Sequence, residues 1–127
     1  MNHASTIAIV DDDDGVRVSL SSLVRSLGYA VRTYGSAHEF LHDPDVGTPV
    51  CLIADIQMPL MTGDQLQAAL LAAGRRLPMI FMTAFPTEAM RRRVMDAGAC
   101  AYLEKPVDAN AIARCLAAAM AHRAALD

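Results

Sequence analysis

The sequence predicts a single α/β domain, a doubly wound sheet of five parallel strands with helices on both faces. Two observations indicate this fold. Short apolar runs alternate with segments of helical periodicity, and this happens five times along the 127 residues. The connections are short, so each strand–helix–strand unit is expected to return to the same sheet. The chain has no internal repeat and no low-complexity linker, which supports one domain over residues 1–127.

The first two strand–helix units lie in the N-terminal third of the chain. The apolar run TIAIV at 6–10 ends directly before acidic residues, as a buried parallel strand does. Apolar side chains then recur at helical spacing over 16–27, and Gly28 is the predicted end of that helix. YAVRTY at 29–34 alternates like a strand. SAHEFLHD at 36–43 is predicted to be a short helix, because its Ser-x-x-Glu start is typical of a capping box.

The other three units repeat the pattern. Their strands are predicted at VCLIA, PMIFM and CAYLE, residues 50–54, 78–82 and 100–104. Their helices are predicted at 64–73, 87–96 and 108–124. In the first of these helices the spacing of Leu66, Leu70 and Ala73 directs the three side chains toward the sheet. Gly98 is the predicted end of the second.

Composition argues against several classes of protein. Hydrophobic residues make up 54% of the chain and aromatic residues 5%, so we expect an aliphatic core in which Met fills gaps. No apolar run approaches the ~20 residues that cross a bilayer. The N-terminus lacks the basic region and the cleavage site of a signal peptide. We therefore expect a cytoplasmic protein without membrane contact.

Cysteine, histidine and charge patterns argue against zinc and nucleic acid as direct ligands. Cys51, Cys100 and Cys115 are odd in number and have no C-x-x-C spacing, which favours free thiols in a reducing compartment. His38 and His42 stand one helical turn apart with no third ligand in the pattern, so a solvated helix face is favoured. The net charge of −3 is not typical of a nucleic-acid-binding domain.

Polar side chains follow four of the predicted strands. Asp11 and Asp12 follow the first strand, Asp55 the third, Thr83 the fourth and Lys105 the fifth. Because the carboxyl ends of parallel strands meet at one edge of a sheet, these side chains are predicted to share one crevice. Lys105 is also the only lysine among 11 basic residues, and a compact ammonium is not interchangeable with a guanidinium.

This set of side chains suits phosphoryl-group chemistry. Carboxylates in one crevice repel one another unless a hard divalent cation joins them, and oxygen ligands suit Mg²⁺. A carboxylate can also act as a nucleophile and form an aspartyl phosphate. An ammonium and a hydroxyl would then neutralise the oxygens of the transferred group. The crevice is therefore predicted to bind Mg²⁺ and to accept a phosphoryl group.

Four motifs extend this prediction to a family. IVDDDDGVR, LIADIQMPLMTG, MTA and AYLEKP occur in this order over nearly the whole chain. Together they resemble the CheY-like receiver domain of two-component response regulators, and DAGACAYLEKPVD is most similar to the FixJ/NarL type. The resemblance implies the flavodoxin-like strand order 2-1-3-4-5. It also implies that the protein is a signalling domain and not an enzyme, because such a domain catalyses only its own phosphorylation and dephosphorylation.

The resemblance also implies a metal site. Asp55 is the implied phosphoacceptor, and Asp11 and Asp12 are the implied acidic pair for Mg²⁺, with Mn²⁺ as the alternative ion. Asp55 itself and the backbone carbonyl of Gln57 would complete the protein ligands. Asp13 and Asp14 fall outside the pair, and their charge is expected to favour the start of the first helix.

A switch is implied as well. Thr83 and Lys105 would contact the phosphoryl oxygens, and the peptide bond before Pro106 is expected to be cis. Phosphorylation would draw Thr83 toward Asp55 and Tyr102 inward behind it. This movement would alter the face formed by the fourth helix, the fifth strand and the fifth helix.

The implied phosphodonor is a phosphohistidine on a sensor histidine kinase. FixJ/NarL-type receivers usually precede a helix-turn-helix domain, so contact with DNA is expected only through an output domain that these residues do not include. A stand-alone, single-domain regulator is the alternative. The sequence leaves open whether phosphorylation drives formation of a homodimer.

Three other interpretations of these motifs fit the sequence less well. A phosphatase of the haloacid dehalogenase type would use Asp11 and Asp13 as its D-x-D pair, but that leaves Asp55 and MPLMTG unexplained. A calcium-binding loop fails on the spacing of its Gly and Glu. An interaction module that has lost phosphorylation is disfavoured, because the full set of site residues is present.

Two positions are candidates for control of phosphoryl lifetime. Gln57 stands two residues after Asp55, and Phe85 stands two residues after Thr83. We hypothesise that the Phe85 ring crowds the water that would hydrolyse the phosphoryl group. The competing interpretation is that Phe85 packs against the protein or contacts a partner.

Overall fold

The computed structural model describes residues 5–44 and 47–126, so residues 1–4, 45, 46 and 127 of the predicted domain lie outside the described residues. Five strands alternate with five helices along this part of the chain. The strands are β1 (Thr6–Val10), β2 (Ala30–Tyr34), β3 (Cys51–Asp55), β4 (Met79–Thr83) and β5 (Ala101–Glu104). The helices are α1 (Asp14–Ser26), α2 (Ala37–Leu41), α3 (Gly63–Ala72), α4 (Glu88–Asp96) and α5 (Ala109–Leu126).

All neighbouring strands of the sheet are parallel, and their order is β2-β1-β3-β4-β5. The predicted fold class and strand order are confirmed. The register places Val10 beside Ala54, and Asp55 beside Met82. The carboxyl ends of β1, β3 and β4 therefore lie side by side, and they bring the residues that follow them to one edge.

The sheet is buried on both faces by separate apolar clusters, as the continuous apolar strands predict. One cluster joins alternate strand residues to α2, α3 and α4 through Phe40, Leu66, Leu70 and Val94. The other joins the opposite strand residues to α1 and α5 through Leu20, Val24, Ile112 and Leu116. Aliphatic side chains and Met dominate both clusters, as the composition predicts.

Helix ends account for the details that the sequence pattern missed. Leu27 and Ala73 were expected to continue the buried faces of their helices, but each is the C-cap residue and is exposed. The side chain of Ser36 accepts a hydrogen bond from the Glu39 amide, as predicted. The Glu39 carboxylate accepts from the Gly35 amide instead of the Ser36 amide, so only half of the capping box forms.

Three further observations concern the cysteines, membrane-spanning helices and the histidine pair. Cys51, Cys100 and Cys115 are free thiols. Within residues 5–44 and 47–126, no helix is both long enough and apolar enough to cross a membrane. His38 and His42 stack their rings on the exposed side of α2, with centroids 6.0 Å apart.

Candidate functional site

The five predicted site residues meet at the carboxyl edge of the sheet. Asp11 and Thr83 are fully buried, Asp55 is 3% exposed, and Asp12 stands at the solvent side. Asp55 and Thr83 are the last residues of β3 and β4, whereas the sequence pattern predicted that they follow directly after these strands. Lys105 follows β5 directly and closes the group from that side.

Asp11 is held in position by two donors. One of its carboxylate oxygens accepts a hydrogen bond from the Asp13 amide at 2.9 Å. The other accepts from Lys105 Nζ at 2.8 Å. The backbone carbonyl of Asp11 accepts from Arg17 at 2.6 Å, which ties the end of β1 to α1. This buried carboxylate is therefore fixed by hydrogen bonds before any ligand binds.

Asp55 lacks this support. Its Oδ1 lies 3.2 Å from Lys105 Nζ. Even so, among the described residues no donor meets this buried oxygen with hydrogen-bond geometry. Burial raises the pKa of the Asp55 carboxyl from 3.8 to about 6, and the Asp11 carboxylate raises it in the same direction, while Lys105 partly offsets both. A buried, incompletely paired carboxylate is costly, which marks this oxygen as a group that a ligand would satisfy.

The acidic group fits a hard divalent cation. One carboxylate oxygen from each of Asp11, Asp12 and Asp55 lies within 4.8 Å of the other two. Oxygen-only ligands with one solvent-exposed side are what Mg²⁺ accepts, because it retains several waters. No other group of three metal-ligating side chains was found in the part of the chain that the structure describes.

The backbone of Lys105 is held by the end of the neighbouring strand β4. Its amide donates to the Thr83 carbonyl at 2.8 Å, and the peptide bond to Pro106 is cis, as expected. Burial lowers the pKa of the Lys105 ammonium, but hydrogen bonding to Asp11 and the charge of Asp55 outweigh it and raise the pKa overall. The ammonium therefore stays charged beside the two carboxylates.

The Thr83 hydroxyl both donates and accepts a hydrogen bond. The Thr83 hydroxyl donates to the side-chain Oε1 of Gln57 at 2.8 Å. It accepts from the Phe85 amide at 3.0 Å. Gln57 is exposed and follows β3, so this contact joins the loops after β3 and β4. The Phe85 side chain is 72% exposed, so its ring is not packed in the core.

Tyr102 contacts the start of α4. Its hydroxyl accepts a hydrogen bond from the Thr87 amide at 3.1 Å. Thr87 is the N-cap residue of α4, and its side chain accepts from the Met90 amide. The ring packs partly buried against the cluster beneath α4. The loop between β4 and α4 is thus attached to Thr83 at one end and to Tyr102 at the other.

The four consecutive acids divide into two pairs. Asp11 and Asp12 join the acidic group, whereas Asp13 is the N-cap residue of α1 and accepts from the Val16 amide. Asp14 lies in the first turn of α1 and forms an ion pair with Arg17. Asp13 therefore serves as the helix cap and lies outside the acidic group, which argues against its use as the second Asp of a D-x-D pair.

The sequence pattern did not single out Gly63, which supports the site. Its amide donates to the Ile56 carbonyl at 2.9 Å. A Cβ at this position would lie 2.4 Å from the backbone oxygen of Asp55, so only glycine fits. The glycine at the end of MPLMTG, where a turn meets a helix, was the available signal.

The sequence pattern also did not predict the backbone conformation of Leu60. This residue is 91% exposed, and its φ of 71° lies in the left-handed region. Nothing in the local pattern indicated that conformation, because leucine rarely adopts it.

Comparison with known proteins points the same way. A model of the response regulator receiver domain matches residues 7–117. Response regulator protein TodT from Pseudomonas putida is 40% identical over 105 residues, which are 83% of this chain and 46% of TodT. Transcriptional regulatory protein FixJ from Azorhizobium caulinodans is 35% identical over 127 residues, which are 98% of this chain and 59% of FixJ. The chain spans about half the length of the curated relatives it matches.

The fold comparison agrees with the sequence comparison. The solved structure of FixJ-N is 35% identical and superposes with a TM-score of 0.82. The match covers 96% of this chain and 97% of FixJ-N. The likeness therefore extends over nearly the whole chain.

Proposed function

Because the chain belongs to the response regulator receiver domain family, we propose that Asp55 accepts a phosphoryl group from a phosphohistidine on a sensor histidine kinase. Receiver domains are signalling domains and not classical enzymes. The observation that carries the proposal is the Asp55 carboxylate, 3% exposed and with one oxygen lacking a hydrogen-bond donor among the described residues. It lies within 4.8 Å of carboxylate oxygens of Asp11 and Asp12, and its Oδ1 is 3.2 Å from Lys105 Nζ.

The transfer is a substitution at phosphorus. A carboxylate oxygen of Asp55 forms the new P–O bond while the P–N bond to the imidazole breaks, and the imidazole nitrogen keeps the electron pair and then takes a proton. Ionised Asp55 is the nucleophile, so its raised pKa leaves the carboxylate basic without preventing ionisation at neutral pH. Each carboxylate oxygen of Asp11 already accepts a hydrogen bond, which lowers its nucleophilicity relative to that of Asp55.

Asp11, Asp12, Asp55 and the Gln57 carbonyl would hold Mg²⁺, with Mn²⁺ as the alternative ion. When bound, the ion supplies positive charge that neutralises the carboxylates and the phosphoryl oxygens. Asp12 is the exposed member of the group, so its carboxylate is free to turn toward an ion from solvent. Asp11 is fixed by Lys105 and by the Asp13 amide, and it offers a preorganised oxygen.

Lys105 and Thr83 would bind the transferred group. The Lys105 ammonium lies 3.2 Å from Asp55 Oδ1, close enough to contact an oxygen of a phosphoryl group attached there. Thr83 would donate its hydroxyl proton to another oxygen. Because Thr83 also accepts from the Phe85 amide, its movement would shift the loop that leads to α4.

Tyr102 would transmit this shift. Its hydroxyl is attached to the Thr87 amide, so a displaced loop changes the position that the ring can take against α4. We propose that the face formed by α4, β5 and α5 is the output surface, and that phosphorylation selects between two arrangements of it. A homodimer formed through this face is one outcome that such a switch could drive.

The output is proposed to be transcriptional. Relatives that extend beyond this domain include a transcriptional regulatory protein, FixJ, of which the chain covers 59%. DNA would then be contacted by a second domain and not by residues 1–127. We propose a cytoplasmic location, where a histidine kinase would present its phosphohistidine. A stand-alone regulator is the alternative, and the length of the full gene product distinguishes the two.

Acetyl phosphate, a small phosphodonor, tests the central proposal without a kinase. We expect Mg²⁺-dependent labelling of the wild-type domain that is abolished in Asp55→Asn and retained in Asp14→Ala. Phosphate-affinity electrophoresis and mass spectrometry would locate the label. Asp12→Ala should weaken Mg²⁺ binding by roughly tenfold or more, whereas Asp14→Ala should have little effect, because Asp14 lies outside the acidic group.

Two results would contradict the proposal. A label on Asp11 would support the phosphatase interpretation. Absence of any label, in a domain shown to be folded and to bind Mg²⁺, would indicate an interaction module that has kept the fold alone.

A further inference from the structure

The hydroxyl of Thr83 uses its one proton in a hydrogen bond to Gln57. The proton is donated to Gln57 Oε1 at 2.8 Å, while the Phe85 amide donates to the same hydroxyl at 3.0 Å. Thr83 is fully buried, so these two partners define its orientation without competition from bulk water. A hydroxyl has a single donor, and it cannot serve Gln57 and a phosphoryl oxygen together.

We propose that the Gln57 side chain is a positioning residue that holds Thr83 in the unphosphorylated orientation and competes with the phosphoryl group for its hydroxyl proton. The inference rests on the proposed function, since it assigns to the Asp55 site an element of regulation. It differs from the role given to the Gln57 backbone carbonyl, which belongs to the metal site. It also differs from any effect of Phe85 on water, because only the Phe85 amide is involved.

The position of Gln57 makes this competition effective. Asp55 pairs with Met82 in the β3–β4 register, so Thr83, the next residue of β4, and Gln57, two residues after β3, lie near each other at the ends of adjacent strands although they are 26 residues apart. The Gln57 side chain is solvent-exposed, and it can turn into water at low cost once Thr83 is taken by another acceptor. The bond is therefore strong enough to select an orientation and weak enough to be exchanged.

Loss of this bond should favour the phosphorylated arrangement. A neutral hydrogen bond has a net value that corresponds to about a two- to tenfold change in an equilibrium constant. In Gln57→Met the acceptor is removed while the length of the side chain is kept. We expect the apparent affinity for beryllofluoride, measured at saturating Mg²⁺, to rise by about two- to tenfold. Gln57→Ala should change the affinity in the same direction.

Nuclear magnetic resonance provides a measurement that a change in overall stability would not affect. Because the Phe85 amide donates to Thr83, its chemical shift reports the orientation of that hydroxyl. In metal-free Gln57→Met, the Phe85 amide resonance should move toward its beryllofluoride-bound position. Gln65→Met is the matched control, since it removes a glutamine whose Oε1 accepts from Thr62 in the same loop and should leave beryllofluoride affinity unchanged.

A double-mutant cycle completes the test. If the acceptor on Gln57 acts through Thr83, Gln57→Met should have no effect on beryllofluoride affinity in a Thr83→Val background. Equal or weaker beryllofluoride binding by Gln57→Met in the otherwise wild-type domain would overturn the inference, as would a full effect in the Thr83→Val background. If the wild-type domain itself fails to bind beryllofluoride, it is the proposed function that fails.

Discussion

At the amino edge of the sheet, helices α1, α3 and α4 all end in the same way, whereas each loop at the carboxyl edge has its own conformation. The three helices are followed by Gly28, Gly74 and Gly98, each with positive φ. In each case the glycine amide donates to the carbonyl three residues back, and the next amide donates to the carbonyl five residues back. This is the Schellman motif, and it satisfies the last carbonyls of the helix locally.

The carboxyl edge is determined by contacts that are distant in sequence. Lys105 and Asp11 are 94 residues apart, and Thr83 and Gln57 are 26 apart. This edge also contains the buried Asp55 oxygen without a donor among the described residues, and the left-handed Leu60. One edge of the sheet is therefore optimised for ending helices, while the other keeps costly groups in place for a ligand.

Removal of the Asp55 charge should have the largest effect on stability of the changes that test this contrast. An acid whose folded-state pKa is raised loses stability as the pH rises, since ionisation is easier in the unfolded chain. With the pKa of Asp55 moved from 3.8 to about 6, the loss begins near pH 4 and is complete above pH 6. Asp55→Asn in metal-free buffer should therefore be more stable than wild type by about 2–3 kcal/mol at pH 8, and by almost nothing at pH 4.

Urea denaturation at both pH values measures this difference. Addition of Mg²⁺ should stabilise the wild type more than Asp55→Asn and so reduce the gap, because the ion satisfies the carboxylate. A variant that is less stable than wild type at pH 8 without metal would show that the carboxylate is already well paired, and the contrast between the two edges would fail.

Gly63 and Gly74 offer a direct comparison of a glycine at each edge. In Gly63→Ala the new Cβ would lie 2.4 Å from the Asp55 carbonyl oxygen, so the loop after β3 must move, at a cost of about 1–3 kcal/mol. In Gly74→Ala nothing lies within 4 Å, and only the left-handed backbone is disfavoured, at about 1 kcal/mol.

The two variants should also differ in function. Gly63→Ala should slow labelling by acetyl phosphate, because the displaced backbone belongs to Asp55, whereas Gly74→Ala should be labelled at the wild-type rate. Chemical denaturation and the labelling rate together distinguish strain at the site from strain elsewhere. Equal behaviour of the two would show that the loop after β3 accommodates a methyl group.

The same contrast explains which features could be predicted from the sequence. Gly28 and Gly98 were predicted as helix ends, because a Schellman motif is encoded by a few adjacent residues. The meeting of Asp11, Asp12, Asp55, Thr83 and Lys105 at one edge was also predictable, since parallel strands share their direction. The roles of these five residues remain predictions until the labelling experiment is done.

Features that depend on side-chain orientation could not be predicted in this way. The Gln57–Thr83 bond requires the register of β3 and β4, which the sequence pattern does not specify. The exposure of Leu27 and Ala73 depends on where the last turn of each helix ends, and periodicity alone leaves this uncertain by one or two residues. The left-handed Leu60 breaks the local rule that a strained position takes glycine.

Substitution of Leu60 should have the smallest effect on stability. It allows a direct comparison with the amino edge, where glycines occupy the positions with positive φ. Among the described residues Leu60 is the one position with positive φ that is not glycine, and its side chain is 91% exposed. Leu60→Gly removes a backbone cost of about 1 kcal/mol, while the greater freedom of glycine in the unfolded chain returns about half of it. We expect a net gain of about 0.5 kcal/mol in the free energy of unfolding. Leu60→Ala keeps the Cβ and the strain, so it should leave stability unchanged, and a gain in both variants would locate the cost in the exposed side chain and not in the backbone.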